Sequence, residues 1–505
     1  MKCFKLIFYI VLMFNCSLSA QFNSNDWVFG DSAGIHWQGA PKIPSNFKSS
    51  VKSTGGVANI SDSSGILLYS TLLNNILPIN GYVWNKYHLP ISGANLIKGN
   101  VWYHAGLFIP EPNNDSIIYL FTAGVTSSNP FGFYYSKINY KANNDSGLVI
   151  QKNVQLNNYP AFDALMAVQH GNGLDWWLIF QRWYTNLTPT DTFYIYQINP
   201  LGISGPVKQS IGSPHKTNLG HLVFSPDGTK FANVSIQGLI EICEFDRCNG
   251  QIISCTTIET EQVSTSIKYF SVAFSSDNSK LYVPGYSVSG GPHFLYQFDL
   301  SATNIPASKT IIYSFLDPNM GITNLKLAPD GKIYLAAADG NFAFPYPDTS
   351  TAYTTINNNL SVINYPDSLG AACDFQPFSF NLGTGRSYFG LPNNPDYELG
   401  AWVGSPCDTL TVGVAENDEE NNVFFQAWYN PEWNMIHVNA SKLKGKNGVL
   451  RLFDVEGRVV VDRKVEMIAG GYFTGEIAMN GIASGMYIVS LTTEKDKVHS
   501  KVLKF

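Results

Sequence analysis

His221-Leu-Val-Phe-Ser-Pro-Asp-Gly-Thr-Lys-Phe-Ala-Asn-Val234 is the stretch that decides the fold. It is echoed by Ser271-Val-Ala-Phe-Ser-Ser-Asp-Asn-Ser-Lys-Leu-Tyr-Val283 and by Asn324-Leu-Lys-Leu-Ala-Pro-Asp-Gly-Lys-Ile-Tyr-Leu-Ala336. Each copy is a short apolar strand, a tight turn and a second apolar strand. Asp suits the turn because its carboxylate can accept from backbone two residues on, and Gly because it tolerates positive φ. Weaker copies open at Val57-Ala-Asn-Ile-Ser-Asp, Ala105-Gly-Leu-Phe-Ile-Pro, Ala164-Leu-Met-Ala-Val-Gln and Ala371-Ala-Cys-Asp-Phe-Gln-Pro. The openers recur about every fifty residues, the length of a four-stranded propeller blade with generous loops.

Later strands of each unit carry β-rich composition or alternation, as in Gly132-Phe-Tyr-Tyr-Ser-Lys-Ile, Phe193-Tyr-Ile-Tyr-Gln-Ile, Leu239-Ile-Glu-Ile-Cys-Glu-Phe-Asp and Phe294-Leu-Tyr-Gln-Phe-Asp-Leu. The expected fold is all-β: a β-propeller over residues 21–410 (WD-repeat-like or YVTN-like), then a small β-sandwich over residues 424–505. The seven openers point to seven blades; six or eight also fit the irregular units over residues 40–160. A β-sandwich array is the structural alternative, and the regular Asp-Gly turn favours the propeller. Residues 27–37 are expected to pair with the strands around Ser387-Tyr-Phe-Gly and so remove the ring's open edge.

Composition agrees. Charged residues are 14% and aromatic residues 14% of the chain, with 43 glycines, which suits an all-β extracellular protein. A net charge of −6 gives no basic footprint for nucleic acid and argues against docking on anionic lipid. At the N-terminus, Lys2 and Lys5 precede an apolar run over residues 6–14, and Ser17-Leu18-Ser19-Ala20 offers small residues for cleavage. That is the pattern of a secretory signal peptide over residues 1–20, leaving Gln21 first in the mature chain. A lipoprotein signal using Cys16 is the rival, with Asn15 a poor neighbour for its cleavage. No other stretch is long and apolar enough for a membrane span. Residues 411–423 are acidic and polar and read as a linker.

Beyond the linker, Val449-Leu-Arg-Leu-Phe-Asp turns on Asp454-Val455-Glu456-Gly457 and resumes with Arg458-Val-Val-Val461. Ala483-Ser-Gly485-Met-Tyr487-Ile-Val-Ser-Leu491 follows, then a basic strand ending Lys501-Val-Leu-Lys504-Phe505. This order resembles the C-terminal sorting domain (type A, Por-type) of the type IX secretion system of Bacteroidetes, over residues 414–505. The resemblance implies Asp454, Gly457, Arg458, Gly485, Tyr487, Lys501 and Lys504 as motif residues and the secretion machinery as a partner. It also implies a route through periplasm and outer membrane to the cell surface or beyond. Asp26-Trp27-Val28-Phe29-Gly30-Asp-Ser-Ala33-Gly34-Ile35, Ile60-Ser-Asp-Ser-Ser-Gly65, Val83-Trp84-Asn85-Lys86, Phe245-Asp246-Arg247-Cys248-Asn249-Gly250 and Tyr388-Phe389-Gly390-Leu391-Pro392-Asn393 likewise resemble secreted Bacteroidetes propellers of no assigned activity.

Five cysteines lie outside the signal: Cys243, Cys248, Cys255, Cys373 and Cys407. Disulfides are the default in an oxidising compartment. A three-residue loop with Gly250 left-handed sets Cys243 opposite Cys255, whereas the family resemblance implies Cys248 with Cys255. A Cys373–Cys407 bridge would staple the last blade to the linker. No cofactor or metal is expected, since no histidine stands at ligand spacing. His104, Asp163, His221, Asn324 and Asp374 fall at or near the starts of inner strands, so they can converge on a channel pocket or simply hydrogen-bond neighbouring blades. His104, Asp163 and His221 are the leading pocket candidates. Glu241, Glu244 and Asp246 form an acidic cluster that suits glycosidase chemistry or a solvated outer strand. Trp84, Trp102, Trp176, Trp177 and Trp183 suit sugar stacking or blade packing. Asp31-Ser32-Ala33, Asp115-Ser116-Ile117, Asp367-Ser368-Leu369 and Asp408-Thr409-Leu410 resemble the Bacteroidetes O-glycosylation triplet. The functional expectation is a non-enzymatic interaction, adhesion or glycan-contact module. The alternative is an exported hydrolase or lyase acting on polysaccharide or peptide through a channel site.

Overall fold

The structure is a computed structural model that describes residues 22–53, 55–72, 82–99, 103–104, 106–124, 132–262, 266–339, 354–408, 423–431, 434–455, 457–467 and 471–504. The expected signal peptide and all but the last residue of the expected linker lie outside the described residues. The chain divides into two compact units, Met1–Ala401 and Trp402–Phe505. Among the described residues no helix is long and apolar enough to cross a membrane.

Among the described residues of the first unit are seven antiparallel sheets, and they form a β-propeller. The three strong repeats sit where the turn chemistry requires. Gly220–Phe224 runs into Lys230–Ser235 through Ser225-Pro-Asp-Gly-Thr. In that turn the Asp227 carboxylate accepts from Thr229 N at 3.0 Å and from Ser225 Oγ at 2.6 Å, while Gly228 takes φ +69°. Asn278, at φ +64°, replaces glycine in the next copy. The same strand–turn–strand begins the blades opening with Ala273–Phe274 and Met320–Leu327, and strands Val57–Asp62, Gly106–Pro110 and Met166–Gln169 open the three earlier blades.

The seventh blade is not where the Ala371 opener placed it. Residues Gly370–Cys373 form a short 3-10 turn instead of a strand, and Asp374 follows as its C-cap in the left-handed conformation at φ +51°. The chain then supplies Phe375–Asn381, the outer strand of the sixth blade. The seventh blade is the N-terminal sheet of Asp26–Phe29, Asp31–Gln38 and Ile43–Lys52. It packs on the sixth through Trp27, Trp37 and Tyr334, all buried, with the two indoles 4.5 Å apart and Trp37 5.7 Å from the Tyr334 ring. Val28 and Val51 pack the other way, against Val57 and Leu67 of the first blade. The ring is closed as expected near Ser387: Asp31 and Arg386 exchange backbone hydrogen bonds of 2.9 and 3.0 Å, and Arg386 Nε lies 3.3 Å from Asp31 Oδ2.

Cys243 and Cys255 form a disulfide across neighbouring strands, with Cα atoms 4.0 Å apart. The loop closes on the pair Asp246–Gln251, and a bulge between Phe245 and Glu244 shifts the register so that Cys243 faces Cys255. Gly250 is left-handed at φ +67°. The Cys248–Cys255 pairing is therefore not formed; Cys248 instead sits in the loop with its N–H on Asp246 Oδ1, and both Cys248 and Cys407 are in the disulfide state. Cys373 is a buried free thiol at the end of the 3-10 turn, so the Cys373–Cys407 bridge is not formed either.

The second unit is a sandwich of two sheets. Phe424–Asn430, Met435–Ser441 and Phe473–Ala478 make one; Val459–Glu466, Asn447–Asp454, Gly485–Thr493 and Lys497–Lys504 make the other. Their alternating inward residues, among them Ile436, Val438, Leu450, Leu452, Ile477, Val489 and Leu491, form one core. Strand Phe473–Ala478 went unread in the sequence because glycine and glutamate interrupt its alternation.

The Asp31–Arg386 pair can be tested against a neighbour. Arg386 is nearly buried, whereas Lys52, 3.7 Å from the same carboxylate, is 77% exposed at its side chain. Arg386→Met is expected to lower unfolding free energy by about 3 kcal/mol, because it strands a half-buried carboxylate. Lys52→Met is expected to leave the urea midpoint unchanged. Equal effects of the two changes would contradict a closure held at Arg386.

Candidate functional site

Beyond the closure, residues 387–401 run along the propeller axis, parallel to the inner strands. Phe389 O accepts from Thr323 Oγ1 near the start of Met320–Leu327, and Asn394 O accepts from Lys326 Nζ at 3.2 Å near its end. On the opposite wall Asn393 N donates to Val57 O, and Asn394 Oδ1 accepts from Asn59 N at 2.9 Å. Asn393 Nδ2 lies within reach of three carbonyls at the starts of inner strands, those of His104, Gly106 and Leu165, at 2.8 to 3.1 Å. Tyr397 donates its hydroxyl to Phe108 O at 2.9 Å. The segment leaves at the Asp-Gly turn face, where Gly400 N donates to Gln169 Oε1 at 2.7 Å and Arg247 donates to Gly400 O. A chain passing between bare strand edges has to match its polar groups one by one, which explains the two asparagines. The composition gave no hint of this beyond a polar run broken by prolines.

The expected pocket histidines meet on this axis. His104 and His221 are stacked with ring centroids 3.8 Å apart at 21°. His104 Nδ1 donates to Gly220 O at 3.0 Å, and its Nε2 accepts from Asn324 Nδ2 at 2.5 Å. Val272 N donates to His221 Nδ1 at 3.2 Å, which places the remaining proton of the neutral ring on Nε2. Burial pushes His104 down to about 3 and His221 well below its ordinary value, the latter also through His104 and Lys326. Ser271 Oγ lies 3.0 Å from His221 Nδ1 but is fully buried and also within reach of Leu325 O, so the pair cannot serve as nucleophile and base toward a substrate.

A cavity of about 210 Å³ lies beside this stack, lined by His104, His221, Asn324, Lys326, Asn393 and Asn394 and opening past Asp396 and Glu398. Burial pushes Lys326 down to about 8 against the pull of Asp396. Asp396 and Glu398 are exposed at the mouth, yet the enclosing walls raise both carboxyls, and Asp396 adds to the rise at Glu398. Asp163, the third expected member, does not line the cavity: its carboxylate accepts from Tyr103 N at 2.7 Å and His104 N at 2.9 Å, pinning two blades. Asp374 lies by the outer strand, holding Asn364 Nδ2 and Gln376 Nε2. Lys326, Asp396 and Glu398 were missed because a lysine ending a strand and acids after a proline carry no distinctive spacing.

The other candidates separate cleanly. Glu241 is buried, accepts from Ser213 N at 2.6 Å, and lies beside Cys243 and Cys255, whose sulfurs are joined to each other. Glu244 is exposed, and Asp246 caps the Cys248 turn, the solvated reading of that cluster. Trp176 and Trp177 are buried blade-packing residues, Trp84 and Trp183 are half-buried, and Trp102 lies outside the described residues. Of the glycosylation triplets, Ser32 is buried in its strand, Ser116 and Ser368 are half-buried, and Thr409 lies outside the described residues. In the second unit Gly457 takes φ +80°, Arg458 N and Nε reach the Asp454 carboxylate at 2.9 and 2.7 Å, Tyr487 donates to Ala483 O, and Lys504 Nζ donates to Met479 O and Ile482 O. Lys501 is exposed opposite Ile488, and Gly485 begins the Tyr487 strand.

No curated protein matches the chain. Residues 426–504 match the family model described as a secretion system C-terminal sorting domain. Among solved structures, a putative 6-phosphogluconolactonase from Bacteroides fragilis NCTC 9343 is 12% identical over 75% of this chain and 98% of its own, with a TM-score of 0.44. A protein from Lactobacillus plantarum is 12% identical over 74% and 98%, with a TM-score of 0.39. PorZ, a surface component of the type IX secretion system of Porphyromonas gingivalis, is 11% identical over 95% of this chain and 69% of its own, with a TM-score of 0.27. The propeller assignment rests on the seven sheets themselves. The sorting domain marks the chain as a propeller protein exported by type IX secretion to the cell surface or extracellular space.

The neutral histidines set a pH dependence. His104, His170, His215 and His221 all have folded-state values pushed down by burial. Their unfolded values lie near 6.5, so below that pH the unfolded chain binds more protons and stability falls with pH. Going from pH 7 to 5.5 is expected to cost about 1 kcal/mol for each such histidine. His104→Gln is expected to reduce that loss by one such step, read from urea midpoints at both pH values. An unchanged loss would contradict the buried neutral assignment.

Proposed function

We propose that the exported propeller is a non-enzymatic module that contacts extracellular glycan. The observation that carries this reading is a half-buried platform following strand Trp176–Gln181, at the end of the third blade remote from its inner-strand turn. There the Arg182 guanidinium lies between two rings, 4.5 Å from the Tyr159 centroid and 4.4 Å from that of Tyr184. The Trp183 indole is held beside them by Nε1 donating to Lys216 O at 3.0 Å. A planar cation stacked between aromatic faces is rigid and presents N–H donors next to apolar surface. Sugar rings offer the complement, C–H faces flanked by hydroxyls. The axis supports the same reading: the His104 ring is committed at both nitrogens to Gly220 and Asn324, and the Asp163 carboxylate holds backbone.

The full chain is expected to retain one or more glycans on a glycan array and to show no turnover across a panel of polysaccharide and peptide hydrolase substrates. Tyr184→Ala and Arg182→Ala are each expected to weaken retention by about tenfold. Turnover abolished by His221→Gln or Asp396→Asn would overturn this reading in favour of an exported hydrolase or lyase. For the route, deletion of residues 424–505 is expected to hold the propeller in the periplasm, seen by surface labelling of intact cells. Normal display of that truncation would contradict a sorting role for the domain.

A further inference from the structure

The axial cavity holds more hydrogen-bond donors than the protein itself uses. His221 carries its proton on Nε2, because Nδ1 accepts from Val272 N, and among the described residues Nε2 has no protein partner. Asn394 Nδ2 is buried without a partner among the described residues, while its own Oδ1 and carbonyl are taken by Asn59 N and Lys326 Nζ. Lys326 uses one contact, to Asn394 O, out of three available protons. An ammonium, an imidazole N–H and an amide N–H around one cavity describe a seat for a carboxylate. The lining also carries acceptors: Asn393 Oδ1 is buried and unpartnered among the described residues, and Asp396 and Glu398 stand at the mouth. Acceptors beyond a carboxylate seat suit hydroxyl groups, and two carboxylates at the entrance disfavour a ligand carrying a second negative charge there. Val168, Val223 and Val272 supply apolar wall. The volume of about 210 Å³ exceeds what benzene needs and falls short of a drug-sized ligand.

We propose that the axial cavity binds a hydroxylated carboxylate of monosaccharide size, a uronate-like acid, with its carboxylate held by Lys326, His221 and Asn394. The site is separate from the aromatic platform, none of whose residues lines it, so either can fail without the other. The seat lies beside Trp27, whose ring centroid is 5.8 Å from Lys326 Nζ, and gives a built-in fluorescence probe.

The test is calorimetric titration of the full chain with D-glucuronate, D-glucose and inorganic phosphate, with tryptophan fluorescence followed in parallel. Glucuronate is expected to bind and glucose to bind at least about tenfold more weakly. Lys326→Met is expected to weaken glucuronate by about tenfold or more while leaving any platform-dependent glycan retention intact. Should that variant fail to fold, the wild-type comparison of acid with neutral sugar decides alone. Equal binding of glucose and glucuronate, no binding of glucuronate at millimolar concentration, or phosphate binding more tightly than glucuronate would each overturn the proposal.

Discussion

The structure depends on a strand of chain that belongs to no sheet. After Arg386 fastens the ring to Asp31, residues 387–401 pass down the axis, and their polar groups answer the exposed edges of the inner strands. An inner strand in a propeller has no sheet neighbour on the axial side, so its carbonyls and amides need water or a partner. Asn393 and Asn394 serve several of these at once, reaching Val57, Asn59, His104, Gly106 and Leu165. The axis thereby becomes a packed, half-sealed cavity instead of a through-channel. Its histidines are neutral and stacked, with Asn324, Ser271 and backbone groups as their partners.

That constraint divides the molecule's functional surface. One end of the axis keeps a small cavity lined by donors, while the aromatic and arginine cluster of the third blade lies elsewhere in the fold. The sorting domain is independently built, with its own core and a turn in which Asp454 holds Arg458 through both backbone and side chain. The export signal thus sits in a unit with a core of its own.

Much of the fold was legible because turn chemistry is local. Ser-Pro-Asp-Gly at residues 225–228 specifies its own hydrogen bonds and so marked the inner strands wherever it recurred. The seventh blade was misplaced because Ala371-Ala-Cys has a strand-like look but folds as a 3-10 turn leading into the outer strand of the sixth blade. The Cys243–Cys255 pairing was one of two open readings, and a bulge decided it. His104 and His221 could be named as a pair from the sequence because each lies at or near the start of an inner strand. Asp163 has a similar position but faces backbone, and Asn394 reaches the cavity from the axial segment, where its carbonyl meets Lys326 of an inner strand. Packing of that kind joins residues hundreds of positions apart, as Asn59 and Asn394 show, and leaves no periodic trace in the sequence.

The central claim is that residues 387–401 are an integral axial element. Amide hydrogen exchange followed by mass spectrometry on peptides covering them tests it directly, since Ser387, Asn393 and Gly400 all donate their N–H groups to partners within the propeller. The account predicts protection comparable to that of inner strands such as Gly220–Phe224 and Met320–Leu327. Exchange of this segment at the rate of an unstructured peptide, while the blades stay protected, would contradict it.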